Sequence, residues 1–415
     1  MPDGPVPGAS RTLVERVLGA SIERPLVPVL VVAVAGALSS SLTYSFIGIW
    51  ALEVAGASEV QLGAAFLGAA IIGALSAYAG GAASDHIGRK PVILVGWIGV
   101  VAGTAAMIAI EDNFALGAMA FIGLSAFGSL IGAADQAMVS DVVAPEGRER
   151  AFAAQRVANN LGVATGASLG GGLLALGSWD ALFAGGVALG IVSLGLAIRY
   201  LPRRGAHAPE SPPQRGSFAV IRRDGLFLLL LASACFSWIV YIAYETLLPV
   251  SLTQSHGVSA STWGLLLAIN PVTVTLLQLR VTARTERYPD VVKLPLAIAI
   301  MGGSFLLLPI NASIPVIVVV IAVFVVGEML WVPASQNAVT RLAPDDLRGA
   351  YLGAFRSAPA VGFALCPFLG FQVRAAEGDT AMWLTIAGIG VAGAAISVVA
   401  LRGSRRPAAP LSSLP

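Results

Sequence analysis

Gly81-Ala-Ala-Ser-Asp-His-Ile-Gly-Arg-Lys-Pro91 is the one dense knot of glycine and charge between two long apolar runs, residues 60–80 before it and 91–110 after it. A chain leaving hydrocarbon there must turn round and re-enter. The stretch therefore predicts a tight cytoplasmic turn between two membrane-spanning helices, with Asp85, Arg89 and Lys90 at the lipid boundary. Gly81 and Gly88 let the backbone take a positive φ or approach a neighbouring helix closely. Outward from this turn the same pattern repeats along the chain. Hydrophobic residues make up 56% of the 415 and charged residues 12%, against about 25% charged in an average soluble domain. Mean hydropathy is +0.82. Apolar runs of about 20 residues are long enough to cross a bilayer as helices, and they do not alternate as barrel strands do. The fold class is an all-α membrane protein.

Read in order, residues 1–24 form a cytoplasmic amino-terminal tail, with Arg11, Arg16 and Arg24 among glycine and proline and no signal-peptide cleavage site. Residues 25–201 hold six spans, at about 26–50, 60–82, 91–110, 114–139, 152–175 and 181–200. Residues 202–224, rich in proline and arginine, read as a cytoplasmic linker. Residues 225–402 hold six more, at about 225–252, 260–279, 294–310, 315–340, 350–373 and 380–401, before a cytoplasmic tail at 403–415. With the amino terminus inside, the outer loops contain Glu53, Glu59, Glu111, Asp112, Asp180, Glu377 and Asp379 but only one basic residue, Arg374. That asymmetry places both termini in the cytoplasm and the chain in an inner or plasma membrane as a multi-pass protein.

The halves match at an offset of 200: Tyr44 with Tyr244, Gln136 with Gln336, Arg148 with Arg348, Arg156 with Arg356, Gly162 with Gly362. Two parallel repeats with a ligand held between them follow from such symmetry. Several function classes drop out. Net charge is +2 and the basic residues are scattered, so no nucleic-acid partner is expected. Lys90 and Lys293 are the only lysines and neither sits in a phosphate-binding glycine loop. His86, His207 and His256 fall in three loops, and Cys235 and Cys366 in separate apolar runs, so no metal site is expected. No nucleophile, base and orienting group occur together, which argues against an enzyme.

The spacing Gly81-x3-Asp85-x2-Gly88-Arg89-Lys90 resembles the signature loop of the major facilitator superfamily, which joins the second and third of twelve helices. The resemblance extends to the twelve spans, the linker and the repeat. It implies alternating access of a midplane site, in which two six-helix halves rock against each other. It also implies that Asp85 faces the start of the eleventh helix near Arg348 to Ala350, and that Arg89 reaches Asp141. At the 200-residue offset the loop Thr282 to Tyr288 keeps an acid and an arginine but no glycine, and Arg341 stands in the place of Asp141. The strong acid–arginine pair is therefore expected only once. The stripe Gly162, Gly166, Gly170, Gly171 resembles the antiporter motif of facilitator exporters, with Ala167 where that motif has proline. Its small residues permit close helix packing. Many drug:proton antiporters of the family carry an arginine where this chain has Leu124, so any proton coupling falls to the second half.

Charges inside a bilayer are costly and so are functional candidates. Glu245 and Glu328 read as proton-titrating carboxylates or ligands for a cationic substrate group, the alternative being structural hydrogen bonds. Asp135 and Arg156 lie at similar depth on consecutive antiparallel helices and are expected to pair. Gln336 is the expected level neighbour of Arg356, and no basic residue is expected deep enough to anchor an anion. Tyr44, Tyr241, Tyr244, Trp331, Gln336 and Arg356 are the expected cavity residues, with Pro249, Asn270-Pro271 and Pro333 breaking nearby helices. Trp50 and Trp263 divide between cavity and membrane interface. The function that follows is proton-coupled efflux of a hydrophobic or amphipathic small molecule by a monomer, with no cofactor beyond a proton gradient. One alternative is polar-solute transport through Gln136, Asn159, Asn160, Gln278, Gln336 and Asn337; another is a non-transporting receptor or assembly factor on the same fold.

Overall fold

The structure is a computed structural model in which residues 24–110, 113–144, 147–202, 220–344 and 347–403 are described. The expected tails, nearly all of the linker, Glu111 and Asp112 lie outside them, as does the side chain of Arg348. The described chain is helical throughout. In order, the helices are α1 Val27–Tyr44, α2 Ile47–Glu53, α3 Glu59–Ile87, α4 Arg89–Ile108, α5 Phe114–Val142, α6 Arg148–Ala175 and α7 Trp179–Tyr200. The second half continues with α8 Gly225–His256, α9 Ala260–Thr285, α10 Asp290–Ser304, α11 Ile314–Leu342, α12 Arg348–Phe355 and α13 Ala358–Gly403.

Among the described residues, 10 segments are long and apolar enough to cross a membrane. Twelve rods are reached by adding the more polar α6 and by dividing α13 at Gly378, whose φ of 85° interrupts the helix. Side chains that can accept a backbone N–H mark where rods begin: Ser58 and Gln61 form a reciprocal capping box on α3, and Asn113, Ser178, Asp224 and Ser259 cap α5, α7, α8 and α9. The opening stretch behaves partly as expected. Helix α3 runs through it to Ile87, and the whole turn is Gly88 alone, at φ 93°. Gly81 neither turns the chain nor packs closely; a Cβ there would meet nothing within 4 Å, whereas one at Gly80 would lie 2.6 Å from Leu130.

The expected proline breaks do not occur. Pro249, Pro271 and Pro333 lie inside continuous helices. The interruptions fall instead at Ser45-Phe46, between α1 and α2, and at Arg356-Ser357, between α12 and α13. Phe46 is fully buried at the first of them.

Buried side chains form two cores. One comprises Leu26, Val92, Trp97, Met138, Val142, Leu201 and their neighbours, all from the first half, at the end where the described chain starts and stops. The other joins the halves: Phe46, Ile49 and Trp50 of the first share it with Leu248, Val250, Trp263 and Phe371 of the second. The halves thus share a core at the far end, while at the termini end the first half packs on itself. Trp50 and Trp263 belong to the shared core, 2% and 0% exposed, so the interface reading fails for both.

Candidate functional site

The glycine stripe of α6 brings backbones together. Cβ atoms at Gly162 and Gly170 would run into α1, the first 2.6 Å from Ala37 Cβ and the second 2.8 Å from the Leu42 carbonyl. Gly171 faces the other half, where a Cβ would lie 3.1 Å from Gly264 Cα on α9. Gly264 is the partner that sequence reading missed. The stripe is thus a joint within the first half and between the halves.

A polar network seals the far end. Arg374, the one basic residue expected in the outer loops, is buried and makes an ion pair with Glu59 of the first half. It also donates to Asp379 Oδ1 at 3.0 Å and Ser255 Oγ at 2.8 Å. Asp379 accepts from Ser251 (2.9 Å) and Trp383 Nε1 (3.1 Å), and His256 Nε2 lies 3.3 Å from it. Gln254 donates to Glu53 across the halves at 3.3 Å, and Trp263 Nε1 donates to the Ser45 carbonyl at 3.2 Å. Sequence gave one signal of this network, a single arginine among seven acids.

Between the halves lies a cavity of about 470 Å³, a size suited to a drug-like molecule. Its wall is mostly first-half: Ser40, Thr43, Tyr44 and Ile47 from the α1–α2 region, a run of small residues on α3 (Ala69, Ala70, Gly73, Ala74, Ala77), and Phe121, Leu124, Ser125, Gly128 and Ser129 on α5. The second half contributes Glu245, Ala360 and Phe363. Glu245 is the one charged residue in this wall, and among the described residues no hydrogen bond or ion pair holds its carboxylate.

Of the expected cavity aromatics only Tyr44 lines the wall. Tyr244 and Trp331, each 2% exposed, are packed away. Tyr244 stacks on Phe324 at 4.8 Å, its hydroxyl buried without a partner among the described residues. Tyr241 and Trp238 pack edge-on at 5.1 Å, and Trp238 meets Trp331 at the same distance. Gln336 and Arg356 are exposed, and Arg356 stands 6.0 Å above the Phe152 ring. None of the six residues of the polar-solute alternative lines this cavity; Gln278, for example, donates to Thr282 and to the Met329 carbonyl.

The expected Asp135–Arg156 pair is not made. Asp135 accepts from Gln155 Nε2, and Arg156 reaches across to Glu328 at 3.5 Å. Depth was correctly matched, but consecutive residues point about 100° apart on a helix, so Gln155 faces α5 when Arg156 faces the other half. A basic residue therefore does reach the middle of α11, contrary to expectation, but it is spent on Glu328. The second carboxylate oxygen of Glu328 accepts from Asn270 at 2.7 Å, so Asn270 contributes its amide where a helix break was expected.

At the termini end Arg89 reaches Asp141, Nε to Oδ2 at 3.0 Å, as expected. Its other contacts are Asp85 and the Ser84 hydroxyl, the latter at 2.7 Å. Asp85 is 63% exposed at its side chain. Lys90 donates to the carbonyls of Ile198 (2.7 Å) and Leu201 (2.9 Å), capping the end of α7. In the second half Asp290, buried, meets Lys293 at 3.2 Å and Arg341 at 3.5 Å. An acid–arginine pair thus recurs at the equivalent place with its charges exchanged between helices, but it is longer and its arginine is 75% exposed, so the strong pair stands in the first half.

The sequence profile of the Major Facilitator Superfamily matches residues 29–367. An uncharacterized MFS-type transporter, YqjV, of Bacillus subtilis (strain 168) is 27% identical over 77% of this chain and 79% of its own length. The multidrug resistance protein MdtH of Klebsiella pneumoniae (strain 342) is 26% identical over 75% of this chain and 78% of its own. Among solved structures, a POT family transporter in complex with 5-aminolevulinic acid superposes with a TM-score of 0.77 at 13% identity, covering 92% of this chain and 97% of that one.

Proposed function

The chain belongs to the Major Facilitator Superfamily and is a membrane transporter of that family, not an enzyme; we propose that it exports hydrophobic or amphipathic small molecules in exchange for protons by alternating access. The observation that carries this reading is the cavity between the halves, apolar over most of its wall and holding a single carboxylate. Its small-residue α3 face and its aromatics Tyr44, Phe66 and Phe121 suit an apolar body, whereas none of the amide side chains that the polar-solute alternative calls on reaches this wall. Similarity to a multidrug resistance protein supports the same cargo class.

The shared core and the Arg374 network close the far end, and the first half keeps a separate core at the termini end. With both termini in the cytoplasm, as the charge asymmetry predicts, this is a cytoplasm-facing arrangement. We assign the coupling of protons to its reversal to the intramembrane acids Glu245 and Glu328.

Purified protein in vesicles tests the reading. Lipophilic dye efflux that depends on an imposed proton gradient, with no sugar counterflow, is the expected result. Dye movement insensitive to the gradient removes the coupling; absence of any flux from the purified chain returns the receptor reading.

A further inference from the structure

We propose that the two intramembrane carboxylates divide the work: Glu245 is the counter-ion for a lipophilic monocation in the cavity, while Glu328 does not meet the cargo and acts through Arg156 on how firmly the halves hold together at mid-depth. The first part rests on reading the cavity as the cargo site.

The surroundings of the two acids differ in kind. Glu245 opens on the cavity, and the other polar groups of that wall are the hydroxyls of Ser40, Thr43, Tyr44, Ser125 and Ser129. A carboxylate facing an apolar space without a partner is destabilised unless it takes up a proton or something positive fills that space. That is the exchange of proton for cation that the proposed function requires. A neutral molecule leaves it uncompensated and an anion is repelled. One carboxylate matches one positive charge, and the apolar wall matches the rest of the cargo.

Glu328 is 3% exposed and already satisfied on both oxygens, by Asn270 at 2.7 Å and Arg156 at 3.5 Å. It lies outside the cavity wall, behind aromatics. Phe324, Glu328 and Trp331 share one face of α11 by helical spacing. Tyr241 of α8 spans that face, its ring centre 6.0 Å from Phe324 and 6.2 Å from Trp331, with Glu328 between them in sequence. Trp238 and Tyr244 extend the screen on either side. What reaches Glu328 from the first half is Arg156, whose side chain is 40% exposed and whose one ion pair among the described residues is long. Such a contact is made and lost easily. Asp135 of α5, which accepts from Gln155, the residue before Arg156 on α6, is an acid of the first half that Arg156 can turn to when the halves part.

The test uses full-length protein in detergent with no gradient, and two ions of the same shape and opposite charge, tetraphenylphosphonium and tetraphenylborate. The wild type is expected to bind the cation at least tenfold tighter. Glu245→Gln should bring the ratio of affinities close to one. Glu328→Gln, which keeps the amide contact of Asn270 within reach, should leave the ratio as in the wild type. Both Glu328→Gln and Arg156→Met should widen the distance distribution between spin labels at Ile87→Cys and Arg287→Cys, measured with Cys235 and Cys366 replaced by Ala. Three results overturn the proposal: no cation preference in the wild type, a preference that survives Glu245→Gln, or Glu328→Gln weakening cation binding as much as Glu245→Gln does. An unchanged distance distribution in both Glu328→Gln and Arg156→Met overturns the second part. None of these readouts involves a proton gradient, so failure of gradient-driven export in vesicles and failure of this division of roles are told apart.

Discussion

Arg89–Asp141 in the first half and Asp290–Arg341 in the second occupy equivalent places, each joining the start of one rod to the end of another at the termini end. The charges are exchanged, and the settings differ. Arg89 is 15% exposed at its side chain, bound at 3.0 Å by Asp141 and also held by Asp85 and Ser84. Arg341 is 75% exposed and stands 3.5 Å from an acid that Lys293 also serves. A cation mostly withdrawn from water holds its acceptors together, and losing it takes that partner from Asp141, whose side chain is only 18% exposed. An exposed arginine at long range gains little over water. The repeat therefore preserved the position of a charge pair while the burden of holding that end together settled on the half that also has Gly88.

The comparison breaks most visibly at Arg89. Arg89→Ala leaves Asp141 without that partner in a partly buried place and should cost about 3 kcal/mol, read as the largest fall in melting temperature of purified protein among these variants. A small loss there would mean the two pairs are equivalent after all. Exchanging the charges, Arg89→Asp with Asp141→Arg, copies the second half's polarity into the first. Each single change should destabilise, and the double variant should recover about 2 kcal/mol of that loss if polarity is interchangeable at this site; a strictly additive result would show that the surrounding contacts to Asp85 and Ser84 dictate the sign. Gly88→Ala places a side chain at φ 93° and should cost about 1–2 kcal/mol, whereas Gly81→Ala, with open space around it, should be neutral or stabilise by up to about 1 kcal/mol through helix propensity. The smallest effect is expected at Arg341→Ala, about 0–1 kcal/mol for an exposed pair, measured by the same melting curves. A loss as large as that of Arg89→Ala would make the second pair an equal partner.

How much of this was legible follows from what each physical signal encodes. Apolar run length encodes spans, so the rods were readable to within a few residues; Gly88 was readable as a turn from its place between two apolar runs, and the Arg89–Asp141 pair came from the family resemblance. Proline signals a break in water, but inside a membrane bundle neighbouring helices let the rod continue through Pro249, Pro271 and Pro333. Depth along a helix is readable and rotation about its axis is less so where every face is apolar. For that reason Asp135 and Arg156 were placed at one level yet paired wrongly, and Tyr241, Tyr244 and Trp331 were put in a cavity whose wall they do not line. The contact of Arg374 with Glu59 joins residues 315 apart in sequence, and no local pattern carries such a pairing.

At the far end the halves touch at Gly171 and Gly264 as backbone on backbone, with no side chain from either residue between them. Such a joint has no teeth: rotation there displaces no interlocked rotamer, and the surfaces can roll. It also makes the balance between the two facings adjustable by volume. A methyl group at either glycine acts as a wedge under one mouth, so graded bulk at positions 171 and 264 provides a dial that charge elsewhere in the molecule does not.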